Sequence, residues 1–297
     1  MTSITKHNKL IVYADDTTVL VSGRNLTETK QHCNDILNRF YLYFTLNKSS
    51  INPDKTKYMI YKPIYHSQKK RKCLFDTTRT QLLMDGIPLK QVSSIKFLGV
   101  KINDKLTWED HKNLVYSKIC KSIGLIYKCK KYMNEAECIK MYKTFIQPYF
   151  LYGIEIWGHA LQNEQDILIK LQSKIIRIIF DTKRTGDAWY HNNGQIKPIK
   201  DLYSNSIKKL SMKHHYGKLP HHFSKNVMPD FNITQLDNKI TRISLDHMYD
   251  YKNSTTASDT HLKLNCIKLW NTLPFTVKAS PYTSSKDSIY KNLKEFN

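Results

Sequence analysis

The sequence predicts an α+β fold in which a small antiparallel sheet with a packed helix precedes a mostly helical region. Short β-prone runs flank the turn residues Ala14-Asp15-Asp16, and a second pair of such runs flanks Asp85-Gly86. Between them, apolar residues recur at helical spacing over residues 26–44. After Trp108 the apolar residues follow a helical period in most segments. We therefore place a boundary between the two regions near residue 106.

The first region is predicted to open with a hairpin. Residues 9–13 and 17–22 form its strands, acidic residues stand at its tip, and Gly23 ends the second strand. The following helix, residues 26–44, has Asn25 or Thr27 available as its N-cap. Its apolar stripe comprises Cys33, Ile36, Leu37, Phe40 and Phe44. Further strands are predicted at residues 57–61, 81–84, 87–90 and 94–102.

The second region is predicted to be built from amphipathic helices at residues 109–131, 135–152, 165–180 and 199–216. The first of them places Val115, Ile119, Ser122, Ile123 and Ile126 on one face. Pro148 should interrupt the second, because proline lacks a backbone N–H. Beyond Asp181 the chain is rich in Asn, His, Lys and Ser, and residues 254–260 predict weak order. We expect three segments: 1–106, 107–181 and 182–297.

The charge predicts a polyanionic partner. Lys and Arg number 47 against 25 Asp and Glu, which gives a formal net charge of +22. Nucleic acid is the leading candidate, since phosphate neutralisation releases condensed counterions. An anionic membrane is the rival, but no stretch approaches the about 20 apolar residues of a spanning helix, so we expect no membrane. The six scattered cysteines form no Cys-x-x-Cys pair and favour a reduced intracellular compartment. With nucleic acid as partner, we expect a nuclear or cytoplasmic ribonucleoprotein that is not secreted.

The acidic hairpin tip carries the candidate chemistry. Asp15 and Asp16 bring two carboxylates near one point, and Mg²⁺ prefers a few carboxylates together with substrate phosphates and water. A pair of such ions can activate a hydroxyl and stabilise a pyrophosphate leaving group. The alternative is that Asp-Asp is a common turn dipeptide without further function.

The context of this pair resembles a known family. The run Leu10-Ile11-Val12-Tyr13-Ala14-Asp15-Asp16 resembles the Tyr-x-Asp-Asp hairpin of reverse transcriptases. Further segments resemble the motifs of that family in their order: Asn47, Ile51-Asn52-Pro53, Lys55-Thr56-Lys57, Phe97-Leu98-Gly99-Val100, Leu106-Thr107-Trp108 with His111, residues 149–157, and Leu269-Trp270-Asn271-Thr272-Leu273-Pro274. The resemblance is to the RNA-directed DNA polymerases of non-LTR retrotransposons, especially jockey-like ones.

This resemblance implies a partial polymerase palm over residues 1–106 and a thumb-like region over residues 107–181. Asp15 and Asp16 would ligate two Mg²⁺ ions for nucleotidyl transfer, and Tyr13 would lie against the primer or template strand. Lys55 would approach the phosphates of the incoming deoxynucleotide triphosphate. An ordinary exposed lysine is the alternative for Lys55.

The resemblance also implies contacts with an RNA template and a DNA primer. Phe97, Leu98 and Gly99 would position the 3′ end of the primer, with Gly99 allowing close backbone approach; a simple core strand is the alternative. Lys118 and Lys121, on the first thumb-like helix, would bind nucleic acid. Trp108 and Trp157 could stack on bases, but we favour core positions for both.

The chain departs from the family in one respect that matters for activity. Such palms use a third carboxylate from a strand that precedes the hairpin, and residues 1–12 contain neither Asp nor Glu. We also expect neither the fingers nor an endonuclease domain in this sequence. We therefore expect a truncated copy that is inactive alone.

Two rival interpretations remain. The basic helices of residues 109–180 could form a non-catalytic nucleic-acid-binding module. His214-His215 and His221-His222 could ligate zinc, but their spacing is not a standard one and no cysteine lies close by in sequence, so we expect no zinc.

Overall fold

The computed structural model describes residues 8–61, 81–161, 165–221, 223 and 259–273. They fall into two compact units that divide between Asp110 and His111. The strands of the described residues lie in the first unit, and the second is helical. This mixture of strands and helices agrees with the predicted α+β class.

The first unit opens with the predicted hairpin. Strands β1 (Asn8–Tyr13) and β2 (Asp16–Val21) pair antiparallel. Helix α1 (Leu26–Leu46) follows, and the Asn25 side chain caps it by accepting a hydrogen bond of 2.8 Å from the backbone N–H of Glu28. Asn25, and not Thr27, is therefore the N-cap of α1.

A small core holds α1 against the next strands. Strand β3 (Lys57–Tyr58) pairs in parallel with β6 (Lys90–Gln91), whereas β4 (Leu83–Met84) pairs antiparallel with β5 (Ile87–Pro88). The turn between β4 and β5 is the predicted Asp85-Gly86, with φ of 50° and 74°. The buried residues Leu82, Met84 and Leu89 pack against the apolar stripe of α1 through Cys33 and Leu37.

The single strand predicted over residues 94–102 is wrong. The chain forms β7 (Ser94–Phe97) and β8 (Val100–Asn103), which pair antiparallel with Phe97 opposite Val100. Leu98 and Gly99 make the turn, with φ of 44° and 86°. Leucine is not a usual turn residue, so the apolar run concealed the reversal.

The second unit begins with helices close to their predicted bounds. These are α2 (Glu109–Cys129), α3 (Glu135–Phe145), α4 (Gln147–Leu151), α5 (Ile154–Trp157), the 3-10 turn Gly158–Ala160 and α6 (Ile167–Phe180). Pro148 lies in the first turn of α4, so the predicted helix of residues 135–152 is interrupted as expected.

Three helices complete the described residues: α7 (Thr185–Asn192), α8 (Ile199–His215) and α9 (Asp259–Asn271). Only α8 was predicted. In the segment expected to be weakly ordered, residues 254–258 lie outside the described residues, and the next two positions begin α9. Helix α9 buries Ile267 and Trp270 against Met212 of α8. No helix within the described residues is long and apolar enough to cross a membrane.

Candidate functional site

The tip of the β1–β2 hairpin presents both candidate carboxylates to solvent. Tyr13 stands opposite Asp16 as the last pair of the ladder, which leaves Ala14 and Asp15 as a two-residue turn. Ala14 has a φ of 51°, a left-handed conformation that costs an L-residue about 1 kcal/mol or more. The side chain of Tyr13 is 65% exposed, and Asp15 and Asp16 are exposed as well. The structure therefore brings Tyr13, Asp15 and Asp16 together at one accessible point.

The donor set at this tip fits part of a magnesium site. Mg²⁺ is commonly held through one or two carboxylates, with substrate phosphates and waters as the other ligands. Asp15 and Asp16 supply two carboxylates on adjacent residues. No group of three or more metal-ligating side chains occurs among the residues that the structure describes. Asp15 and Asp16 are therefore compatible with one part of such a site.

Lys55 lies on a separate turn, after α1. The side-chain oxygen of Asn52 accepts hydrogen bonds from the backbone N–H groups of Asp54 at 3.0 Å and Lys55 at 3.3 Å. The hydroxyl of Thr56 donates to the backbone oxygen of Asn52 at 2.8 Å. This Asx turn fixes the backbone at Lys55 while its side chain remains exposed. The Asn-Pro and Lys-Thr pairs of the sequence motif therefore have a local structural role.

Phe97, Leu98 and Gly99 lie at the tip of the β7–β8 hairpin and are half-buried. The alternative interpretation of these residues as a core strand is therefore wrong for the last two, which form the turn. The glycine is explained locally, because a φ of 86° favours a residue without a Cβ. A role in positioning a primer end stays a prediction.

The two candidate lysines of α2 lie one turn apart on the same side of the helix. Lys118 is half-buried, and its Nζ lies 5.5 Å from the centre of the Tyr149 ring, within the range of a cation–π contact. Lys121 is exposed. Of the pair, Lys121 is the more accessible to a phosphate.

Trp157 occupies the core, as predicted. Its side chain is fully buried, and its indole N–H donates to the backbone oxygen of Tyr152 at 3.0 Å. The ring of His111 meets it edge-on, with 5.2 Å between ring centres. Burial lowers the pKa of His111, and the charge of Lys118 lowers it further. Trp108 is half-buried and has a φ of 63°.

The histidines considered for zinc have other surroundings. His215, near the end of α8, packs its ring 4.8 Å from Trp270 and 5.0 Å from Tyr216. His214 is half-buried and His221 is exposed, whereas His222 lies outside the described residues. The ring contacts of His215 tie it to the α8–α9 packing.

A basic cleft between the ends of α2 and α6 was missed by sequence reasoning. Its cationic lining residues are Lys130, Lys131, Lys174, Arg177 and Lys183. These residues belong to two segments about 50 positions apart, so no sequence spacing brings them together. The only available signals were the basic run after α2 and the basic residues that interrupt the apolar α6.

Known relatives of the chain are transposon polymerases. The chain is 24% identical over 212 residues to the "Probable RNA-directed DNA polymerase from transposon X-element" of Drosophila melanogaster, a match that covers 69% of this chain and 22% of the relative. It is 26% identical over 176 residues to the "Probable RNA-directed DNA polymerase from transposon BS" of the same species, a match that covers 58% of this chain and 18% of the relative. It is 22% identical over 202 residues to the "RNA-directed DNA polymerase from mobile element jockey" of Drosophila melanogaster, a match that covers 66% of this chain and 20% of the relative.

These matches confirm the resemblance to RNA-directed DNA polymerases of non-LTR transposons, jockey among them. The chain spans about a fifth of the length of the curated relatives that it matches. No protein-family model matches the chain. No solved structure matches it either.

Proposed function

We propose that this chain, a relative of the RNA-directed DNA polymerases of non-LTR transposons, carries the acidic palm hairpin, the primer grip and a thumb-like helical region of such an enzyme. The observation that supports the proposal best is the exposed hairpin tip with Asp15 and Asp16 side by side. The resemblance to the relatives, over up to 69% of this chain, supports the rest.

The chemistry proposed for the tip is RNA-templated addition of deoxynucleotides to a DNA primer. Asp15 and Asp16 would hold the divalent cations through their carboxylates. Bound Mg²⁺ supplies charge neutralisation at the phosphates and activation of the attacking hydroxyl. Tyr13, whose ring is exposed beside Asp16, lies against the primer or template strand. Lys55 places its ammonium group against the phosphates of the nucleotide.

We propose further that the 297-residue polypeptide binds primer–template without extending it. Its hairpin supplies two carboxylates, and no third His, Cys, Asp or Glu side chain joins them among the residues that the structure describes. A site that has two of the three carboxylates still binds a nucleotide together with its cation. It does not fix the attacking hydroxyl and the nucleotide phosphate firmly relative to each other. Addition of Mg²⁺, primer–template and all four nucleotides should therefore give no processive product.

Nucleotide binding tests the proposal without requiring turnover. A fluorescent deoxynucleotide triphosphate is titrated with the chain in the presence of an RNA–DNA primer–template, with Mg²⁺ and with EDTA. We expect Mg²⁺-dependent binding that Asp15→Asn weakens at least 10-fold. Asp35→Asn, which neutralises an exposed carboxylate on α1, serves as the control and should bind as the wild-type chain does. Nucleotide binding that is unchanged by removal of Mg²⁺ and by Asp15→Asn would refute the assignment of this hairpin to a polymerase palm.

A second function, a nucleic-acid-binding module without catalysis, is favoured by the basic residues of α2, of which Lys121 and Lys128 are exposed. Under this proposal, affinity for RNA or DNA falls steeply with salt and is unchanged by Asp15→Asn. The variant Lys118→Gln/Lys121→Gln should weaken binding and flatten its salt dependence. If that variant binds as the wild-type chain does at every salt concentration, α2 is not the binding surface.

A further inference from the structure

The basic cleft has the dimensions of a ligand site. It is open to solvent, has a volume of about 700 Å³ and lies between the C-terminal ends of α2 and α6. Binding clefts for small molecules have volumes of about 300 to 1,000 Å³. The cleft therefore has room for one nucleotide unit.

The cleft carries more positive charge than its helix ends require. Five cationic side chains line it, and Asp181 is its one acidic residue. Each helix C-terminus contributes about half a negative charge, which explains the presence of some of the cations. Lys130 has a local role, since its Nζ donates to the backbone oxygen of Ile178 at 2.6 Å and lies 4.0 Å from Asp181. An excess of about three positive charges remains once the helix ends and Asp181 are neutralised.

Two buried polar atoms of the cleft residues have no hydrogen-bond partner in the described structure. They are Nε of Arg177 and the hydroxyl oxygen of Thr182. The Nη1 of Arg177 reaches the backbone oxygen of Lys183 only at 3.4 Å. Buried polar groups are nearly always paired, and both of these atoms can donate a hydrogen bond. Both atoms belong to residues that line the cleft, so this wall has hydrogen-bonding capacity that the described residues do not use.

An aromatic ring completes the lining. Tyr127, on the last turn of α2, lines the cleft and is 64% exposed. Exposed aromatic rings beside basic residues serve as platforms on which unstacked bases lie. A duplex keeps its bases stacked inside and cannot offer a base face to such a ring. The combination therefore favours a single strand over a duplex.

We propose that the basic cleft binds single-stranded nucleic acid, with one phosphate group among Lys174, Arg177 and Thr182 and a neighbouring base on Tyr127. The proposal rests on the proposed function only in taking nucleic acid as the ligand. None of its residues is a hairpin carboxylate, Lys118 or Lys121. Single-strand binding here gives the helical unit a nucleic-acid site that requires neither a primer end nor a divalent cation.

The test measures binding of a labelled single-stranded oligonucleotide to the full chain in EDTA, by fluorescence anisotropy at several salt concentrations. Lys174→Gln/Lys183→Gln changes two exposed cleft lysines, and Lys140→Gln/Lys143→Gln removes the same charge from the exposed face of α3. We expect the cleft variant to weaken binding about 10-fold or more and to lower the salt slope by about 0.7 for each phosphate that is no longer neutralised. The α3 variant should change binding less than 2-fold. Equal weakening in both variants would show a general charge effect and overturn the proposal.

Stacking is tested by Tyr127→Ala with Tyr127→Phe as its partner. Loss of one base stack should weaken single-strand binding about 5-fold or more, whereas phenylalanine should restore it. Neither variant should alter binding of a matched duplex. If Tyr127→Ala binds single strands as the wild-type chain does, or if inorganic phosphate at the oligonucleotide's phosphate concentration competes equally well, the site takes phosphate alone and the proposal fails.

The outcome is separable from that of the palm assignment. The cleft measurement uses EDTA and residues remote in sequence from Asp15, so it succeeds or fails whether or not the hairpin binds a nucleotide with Mg²⁺. Lys118→Gln/Lys121→Gln, run beside it, reports the α2 surface separately.

Discussion

The hydroxyl of Tyr142 accepts a hydrogen bond of 2.9 Å from the side-chain amide of Gln172 inside the helical unit. Both side chains are almost completely buried, and burial raises the pKa of Tyr142. The same amide nitrogen donates to the backbone oxygen of Lys197 at 2.9 Å, and the amide oxygen accepts from the backbone N–H of Ile199 at 2.8 Å. Gln172 thus joins α3, α6 and the start of α8 through three bonds.

Replacing Gln172 should destabilise the helical unit strongly. Gln172→Leu removes the partners of two buried groups and of one part-buried group, and each loss costs about 1 kcal/mol. We expect the free energy of unfolding, measured by urea denaturation, to fall by about 3 kcal/mol. Tyr142→Phe removes a single partner and should cost about 1 kcal/mol. Equal destabilisation by the two substitutions would contradict the conclusion that Gln172 joins three segments through its hydrogen bonds.

The ion pair between Lys112 and Asp166 should contribute measurably to stability. Lys112 Nζ lies 2.9 Å from Asp166 Oδ2, and their side chains are 16% and 4% exposed. A double-mutant cycle with Lys112→Met and Asp166→Asn should give a coupling free energy of about 1 kcal/mol or more. The cycle of Lys130→Met and Asp181→Asn is the control, since Asp181 is 96% exposed, and its coupling should be under about 0.5 kcal/mol. Similar coupling free energies for the two pairs would show that burial does not determine the strength of the Lys112–Asp166 ion pair.

His111 should make the helical unit less stable in mild acid. Its pKa in the folded chain is lowered by burial and by Lys118, so the unfolded chain binds the proton more readily. The contribution to stability is complete above the unfolded pKa, near 6.5, and is lost as the pH falls through the folded value. Between pH 7 and pH 5 the wild-type chain should lose more stability than His111→Phe does. Parallel pH profiles for the two proteins would rule out this role.

Relief of strain at Ala14 should stabilise the acidic hairpin. Because Ala14 has a φ of 51°, Ala14→Gly should raise the free energy of unfolding by about 1 kcal/mol. Ala136→Gly, at an exposed position in the first turn of α3, is the opposite control and should lower it by up to about 1 kcal/mol. The thermal midpoints of the two variants should therefore move in opposite directions, and a decrease for Ala14→Gly would contradict the strain.

Local signals explain which parts of the fold could be predicted. The cap at Asn25, the turn at Asp85-Gly86 and the interruption at Pro148 each depend on residues adjacent in sequence, and each is confirmed. The turn at Leu98 was missed because the run around it is apolar. Helices α7 and α9 were missed because their apolar residues form a weaker stripe along one face than those of α8 do.

The same distinction between local and long-range signals applies to the candidate functional residues. The exposed carboxylates of Asp15 and Asp16 follow from two strands and a turn, which the sequence shows directly. The basic cleft needs helix ends from distant segments, and Arg177 and Thr182 reveal unpaired donors only once α2 and α6 are packed. Chemistry confined to a turn can be inferred from sequence, whereas chemistry assembled across helices cannot.

The packing of α9 on α8 has a consequence for the order of folding. Met212 and Trp270 belong to one core cluster although more than 50 residues separate them along the chain. Closing a loop of that length costs conformational entropy before the packing returns any free energy. Non-local contacts of this kind slow folding, so α9 should dock after α2 to α8 have assembled. During synthesis, Met212 would lack its contact with Trp270 until the ribosome has released residue 273, and an apolar side chain exposed in that interval favours aggregation.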